Sequence, residues 1–236
     1  MTNTDRQITY SGSAELDIML VAENYNYYLI KKIVTLGKES EVIVDFGAGN
    51  GFFANRIRQI LKKNILCIEQ DENLQEAISK YDDLSVENDL NNIRDNSVDF
   101  IYTLNVLEHI TDDEFIISEF YKKLKKGGKL YVYVPAFPLL YSSNDLKVGH
   151  VRRYKIKDLR KKIIEKKFKL EKICYEDTLG FFVALLFKII DRKKTGNINP
   201  FFLKLYDRFV FPLNFLIKPF FGKFVGKNIA VIAIKD

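Results

Sequence analysis

An acid, Asp45, is followed by three glycines at alternate positions, Gly47, Gly49 and Gly51. Residues without a Cβ at this spacing make a tight turn whose backbone a ligand can approach closely. About twenty residues further on stands Glu69, the separation expected of a carboxylate that accepts from both hydroxyls of a ribose. Gln70, next to it, would face an adenine. The chemistry these residues suit is the holding of a nucleoside. A dinucleotide turn of the form G-x-G-x-x-G, counted from Gly47, would need a glycine at position 52, where Phe52 stands. A nicotinamide dinucleotide is thereby disfavoured.

A second polar set is Gly149-His150-Val151-Arg152-Arg153-Tyr154, inside a long loop from Ala136 to about Arg153. Long loops in compact domains tend to carry function. A free imidazole titrates near neutrality, so His150 could orient or deprotonate an acceptor hydroxyl. Arg152 or Arg153 could bind a phosphate or carboxylate, with Tyr154 beside them at the mouth of the crevice. The alternative is a loop pinned to its domain by salt bridges.

These residues need a scaffold, and the pattern around them supplies one. Val42-Ile43-Val44 reads as a buried parallel strand ending at Asp45, and Phe52, Phe53, Ile57, Ile60 and Leu61 follow at helical spacing. Further strands are expected at 65–68, 84–86, 98–103, 129–134, 168–177 and 228–234. Helices are expected at 13–36, 72–80 and 157–167. Another should open with Thr111 as N-cap and Glu114 three residues on, bury Phe115, Ile116, Phe120 and Leu124, and stop at Gly127-Gly128. Ligands of open α/β sheets bind at the carboxyl ends of the strands, at the switch point.

The 236 residues are expected to form a single domain, 1–236. The net charge of +6 suits an anionic partner, although frequent Lys, Asn and Ile also fit a compositional bias. Cys67 and Cys174 lie in apolar segments with no metal or disulfide spacing, which points to a reducing cytoplasm. The polar N-terminus gives no signal peptide. No run reaches the roughly 18 apolar residues that span a bilayer.

The Asp-x-Gly-x-Gly-x-Gly turn resembles motif I of the class I S-adenosylmethionine (SAM) dependent methyltransferases, and the resemblance extends over about residues 22 to 177 and the last strand. It implies an α/β fold: a Rossmann-like, seven-stranded, mostly parallel sheet with an antiparallel last strand and helices on both faces. It implies SAM as cofactor, S-adenosylhomocysteine as product, and no metal. It also implies that Asp89 accepts from the adenine amino group, Leu90 covers the ring and Asn105 bonds the methionine portion. A helix at 13–36 would lid the cofactor, with Tyr25 or Tyr28 in contact. His109 has two readings, facing the substrate or bonding a neighbouring helix. As a base for an acceptor hydroxyl, His150 stands first and His109 second. The loop resembles a Gly-His-x-Arg-Arg-Tyr signature of a type 11/12-like branch found among glycan and lipid biosynthetic functions, which would give Arg152, Arg153 and Tyr154 to the substrate.

Residues 178–227 depart from a minimal domain, in which the last two strands form a hairpin. This segment holds more than half of the chain's 19 Phe and reads as a hydrophobic, amphipathic helical insertion. A basic linker, Arg192-Lys193-Lys194, divides it. Lys204, Asp207, Arg208, Asn214 and Lys218 fall on a narrow stripe, and Phe201, Phe202, Leu205, Phe209, Leu213, Phe215 and Leu216 cover most of the rest. Pro212 should kink or break the helix. So wide an apolar face must be covered by the domain, a second subunit or a membrane interface.

The expectation is a methyltransferase that modifies a small-molecule, glycan or lipid-linked acceptor, in the cytoplasm or peripherally on the inner face of a membrane. The alternatives are a non-catalytic SAM-binding or membrane-associated scaffold, and a nucleic-acid methyltransferase, which the lack of an RNA-binding module disfavours.

Overall fold

The computed structural model describes residues 18–190, 197 and 199–236. The polar N-terminus, the start of the 13–36 helix and the linker Arg192-Lys193-Lys194 lie outside these residues.

Seven strands form one sheet: β1 (Ile43–Phe46), β2 (Ile65–Ile68), β3 (Leu84–Glu87), β4 (Val98–Leu104), β5 (Leu124–Pro135), β6 (Phe168–Glu176) and β7 (Asn228–Lys235). Their order is β3-β2-β1-β4-β5-β7-β6. Pairing is parallel from β3 to β5, and β7 runs antiparallel to both β5 and β6. The sequence direction therefore reverses between β1 and β4, which opens a crevice at their carboxyl ends.

Successive side chains of a strand point to opposite faces, and the core divides accordingly. Val44, Ile101, Leu130 and Val132 face one apolar layer. Ile43, Phe100, Tyr102, Tyr131 and Tyr133 face the other. The second layer is closed by α1 (Glu23–Gly37), α2 (Phe52–Leu61) and α3 (Glu72–Ser79), through Leu29, Ile33, Ala54, Ile57 and Ile78. The first is closed by α4 (Asp113–Lys123) and α6 (Ile156–Glu165), through Ile117, Phe120, Leu159 and Ile163. A one-turn helix, α5 (Ser143–Lys147), lies in the loop after β5.

Around α4 the sequence expectations need correction. Asp112, not Thr111, caps the helix by accepting from the Phe115 backbone N–H at 3.0 Å. Phe115 is exposed. The helix ends at Lys123, and Gly127-Gly128 falls inside β5, which starts at Leu124. The glycine pair marks a bulge between β4 and β5, where the register shifts between Val98 and Phe100.

Between β6 and β7 the chain forms α7 (Thr178–Ile190), α8 (Pro200–Leu205), a π-turn (Tyr206–Val210), a 3-10 turn at Pro212 (Phe211–Leu213) and α9 (Asn214–Phe221). Pro212 has no N–H to donate, and the regular helix is interrupted around it. Within the polar stripe Asp207, Asn214 and Lys218 face the protein, while Lys204 and Arg208 are exposed. Asp207 and Asn214 are buried. Asn214 accepts from the Leu179 N–H at 2.8 Å and donates to Asp177 at 2.9 Å, and Lys218 pairs with Glu176. The aromatic side faces out: Phe202 is 67%, Phe220 72% and Phe224 73% exposed. Among the described residues no helix is long and apolar enough to cross a membrane.

Candidate functional site

The glycine turn bridges β1 and α2 with Gly47, Gly49 and Gly51 all at positive φ. Gly47 shows why the position is closed to other residues. Its φ is +75°, and a Cβ there would lie 2.4 Å from the Val106 side chain. The segment after β4 thus presses directly against the turn.

Glu69 leaves the end of β2 and folds back onto the same turn. One carboxylate oxygen accepts from the Gly49 N–H at 2.8 Å, and the other accepts from Gln70 and Asp71 at 2.9 and 3.1 Å. Burial pushes the Glu69 carboxyl upward, and these three donors oppose the shift. Asp45 is buried at the end of β1, and burial raises its pKa to about 7. Gln70 is exposed beside Glu69.

Asp89 lies two residues beyond β3, exposed, and accepts from the Asn91 N–H at 2.8 Å. Leu90 is buried and packs in the core beneath it. Asn105 follows β4 at positive φ, its N–H bonded to the Tyr133 carbonyl at 2.8 Å. The Tyr25 hydroxyl of α1 faces Asn105, and the Tyr25 ring packs edge-on against Tyr133 and Phe211. Tyr28 instead donates to Glu176 at 2.7 Å. The expected cofactor residues therefore stand at the carboxyl ends of four adjacent strands, with Tyr25 above Asn105.

The second polar set is tightly knit. The His150 Nδ1 lies 2.7 Å from the buried Asp145, and Arg153 donates to both Asp145 oxygens at 2.8 and 3.0 Å. These contacts hold the Asp145 carboxyl well below the usual carboxylate range despite its burial. Arg152 pairs with Asp113 at 3.0 Å, and the buried Tyr154 donates to Asp113 at 2.7 Å. Arg153 and Tyr154 are thus engaged inside the protein, as in the alternative reading of a pinned loop, while Arg152 borders an open basin of about 440 Å³ with Lys162 and Lys166.

The His109 and His150 rings meet edge-to-face with centroids 4.7 Å apart. Glu108 stands beside them, fully buried, with an oxygen 3.7 Å from the His150 Nε2. Neither Glu108 oxygen has a hydrogen-bond partner. Burial pushes the Glu108 carboxyl up to about 8 and the His109 imidazole down to about 4. Sequence reasoning named the two histidines and passed over Glu108 and Asp145. The available signal was an acid directly before His109 in the otherwise apolar run Val106-Leu107.

The sheet order is that of the fold shared by the SAM-dependent methyltransferases found among the similar solved structures, and the glycine turn and Glu69 stand together at the carboxyl ends of its strands. Residues 44–132 match the family model described as a methyltransferase domain, so this part of the chain carries such a domain. A search among curated proteins finds no match. Solved structures similar to the chain include a SAM-dependent methyltransferase of Thermotoga maritima, a possible histamine N-methyltransferase. It has 18% identity and a TM-score of 0.65, over 96% of this chain and 98% of that one. Another is the putative methyltransferase of Haloferax volcanii solved in complex with the Trm112 methyltransferase activator. It has 14% identity and a TM-score of 0.63, over 98% and 99%. A third is phosphoethanolamine N-methyltransferase 2 of Haemonchus contortus in complex with SAM, with 16% identity and a TM-score of 0.63, over 98% and 58%. SAM is the cofactor in similar solved structures, and the residues here fit it. A side-chain-free cradle lies at Gly47, and a carboxylate sits against the turn at Glu69.

Proposed function

We propose that this protein transfers the methyl group of SAM to a hydroxyl of an acceptor presented at a membrane surface. Ribose binding exchanges the Gly49 N–H contact of Glu69 for the two hydroxyls, because a carboxylate offers about four acceptor positions and three are already used. Asp89 receives the adenine amino group, and Asn105 with Tyr25 holds the methionine end. The methyl moves in line between sulfur and acceptor, so alignment supplies much of the rate, up to about 7–11 kcal/mol in ideal cases. The cluster of Glu108 and His109, three and four residues past Asn105, with His150 from the loop after β5, is the site at which the acceptor hydroxyl loses its proton.

The observation that carries the membrane reading is the inverted polarity of residues 200–224. Their acid and amide groups turn inward, and exposed phenylalanines alternate with exposed Lys204, Arg208 and Lys223. An apolar surface rimmed by cations matches an anionic lipid interface, where aromatic rings enter the headgroup layer and lysines meet phosphate.

Flotation with vesicles containing a quarter phosphatidylglycerol tests this. The wild type should float, and a variant with Phe201, Phe202 and Phe209 all changed to Ser should stay at the bottom while still binding S-adenosylhomocysteine. A wild type that fails to float overturns the membrane reading and leaves a second subunit or a substrate cover on that face.

A further inference from the structure

The sequence contains two histidines, and the fold brings both to one buried acid. Glu108, His109 and His150 each offer one ligand atom, and these atoms lie within 4.8 Å of one another. The Glu108 carboxylate is completely buried, and neither oxygen receives a hydrogen bond. A carboxyl buried in this way either keeps its proton or takes a cation in its place. Arg153, whose charge acts on Glu108, is occupied by Asp145.

We propose that Glu108, His109 and His150 bind a divalent transition ion, of the zinc or manganese kind, beside the methyl-donor pocket. Two imidazoles and one carboxylate are a donor set for such ions rather than for magnesium or calcium, which take oxygen ligands. Bonds of about 2.0–2.2 Å put tetrahedral ligands about 3.4 Å apart. The Glu108–His150 pair is already at 3.7 Å and all three atoms lie within 4.8 Å, so small side-chain rotations close the site. Its outer shell is built. Asp145 holds the His150 Nδ1 at 2.7 Å, which leaves the Nε2 for the ion. Arg153 and the Ser142 N–H hold Asp145 in turn. The His109 ring is bonded to the backbone of Gly149. Carboxylate–histidine pairs of this kind fix ring orientation at metal centres.

Three protein ligands leave at least one position open, the arrangement of a catalytic rather than a structural ion. The occupant of that position is the acceptor oxygen, which makes this inference a deepening of the proposed hydroxyl methylation. The ion lowers the hydroxyl pKa, and the proton departs to solvent. The oxygen lone pair then forms the new O–C bond to the methyl carbon. The C–S bond breaks, and its electrons return to sulfur as the neutral thioether. Acceptor hydroxyl and sulfonium become methyl ether, S-adenosylhomocysteine and one proton.

The test uses the untagged full chain, stripped with chelator and titrated calorimetrically with Zn²⁺ and with Mn²⁺ in the absence of acceptor. At least one of the two ions should bind saturably at one per chain. Glu108→Gln and His109→Asn should each weaken it by a hundredfold or more, and Asp145→Asn by about ten- to a hundredfold as an outer-shell change. S-adenosylhomocysteine affinity, measured on the same samples, should be unaltered by Glu108→Gln and shows that the variant is folded. No saturable binding of either ion, or binding that Glu108→Gln leaves unchanged in a folded sample, overturns the proposal. One-to-one ion binding without any S-adenosylhomocysteine binding would keep the ion site and sink the methyl-transfer reading instead.

Discussion

The Asp207 carboxylate accepts from the backbone N–H of Tyr25 at 2.9 Å, and its other oxygen accepts from Asn24 at 2.8 Å. The first turn of a helix has free N–H donors, and at the start of α1 the local residue Ala22 offers no side-chain cap. The cap comes from far along the chain, out of the segment between β6 and β7. That segment therefore positions the helix that carries Tyr25 over Asn105.

Asp207→Ala should lower stability by about 1–2 kcal/mol, the range for loss of an N-cap. It should also loosen cofactor binding, because Tyr25 is no longer held. Thermal melts with and without S-adenosylhomocysteine read both effects. A variant with lowered melting temperature but unchanged cofactor affinity would mean that α1 does not serve the site.

Gly47→Ala should abolish cofactor binding through two separable causes. The added Cβ meets Val106, and the backbone at φ +75° disfavours any side chain, by about 1–2 kcal/mol. The double change with Val106→Ala should relieve the clash and leave the conformational cost. Partial recovery of binding in the double variant is the expected result, and full recovery would show that the turn tolerates a side chain.

Asp45 makes a prediction about pH. Its pKa of about 7 in the folded protein compares with about 3.9 in an unfolded chain. Between these values the folded protein keeps a proton that the unfolded chain has lost. The stability tied to that proton is full below about pH 4 and lost as pH rises through about 7, a change on the order of a few kcal/mol. Asp45→Asn removes this term. Urea unfolding of both proteins at pH 4.5 and 7.5 should show the difference shifting in favour of the variant at the higher pH. A pH-independent difference would place the Asp45 carboxylate in its ionised form throughout.

Much of this architecture was legible in the chain. Alternating or continuous β-branched runs gave β1, β2 and β4 within a residue or two, because a strand buried on both faces leaves little freedom of composition. The glycine turn was readable because close backbone approach demands one residue type, and Glu69, picked out by its spacing, lies against that turn. The inward orientation of Asp207, Asn214 and Lys218 was not readable. A polar stripe on an apolar helix normally meets water, and only the distant partners Asn24, Asp177 and Glu176 turn these three inward. The Glu108–His109–His150 cluster escaped for the same reason, since its ligands are brought together by the β5–α6 loop and not by spacing. The helix stop expected at Gly127-Gly128 failed because a pair of glycines serves a bulge as well as a helix end.

The central claim is that a nucleoside sulfonium sits across the turn at Gly47 to Gly51 with its ribose on Glu69. Calorimetric titration of SAM into the wild type and into Glu69→Ala tests it most directly. Two hydrogen bonds to a charged group, each about 1.5–3 kcal/mol, predict a loss of about a hundredfold or more in affinity. Equal affinity in the two proteins, or a wild type that binds NAD in preference to SAM, would contradict the account.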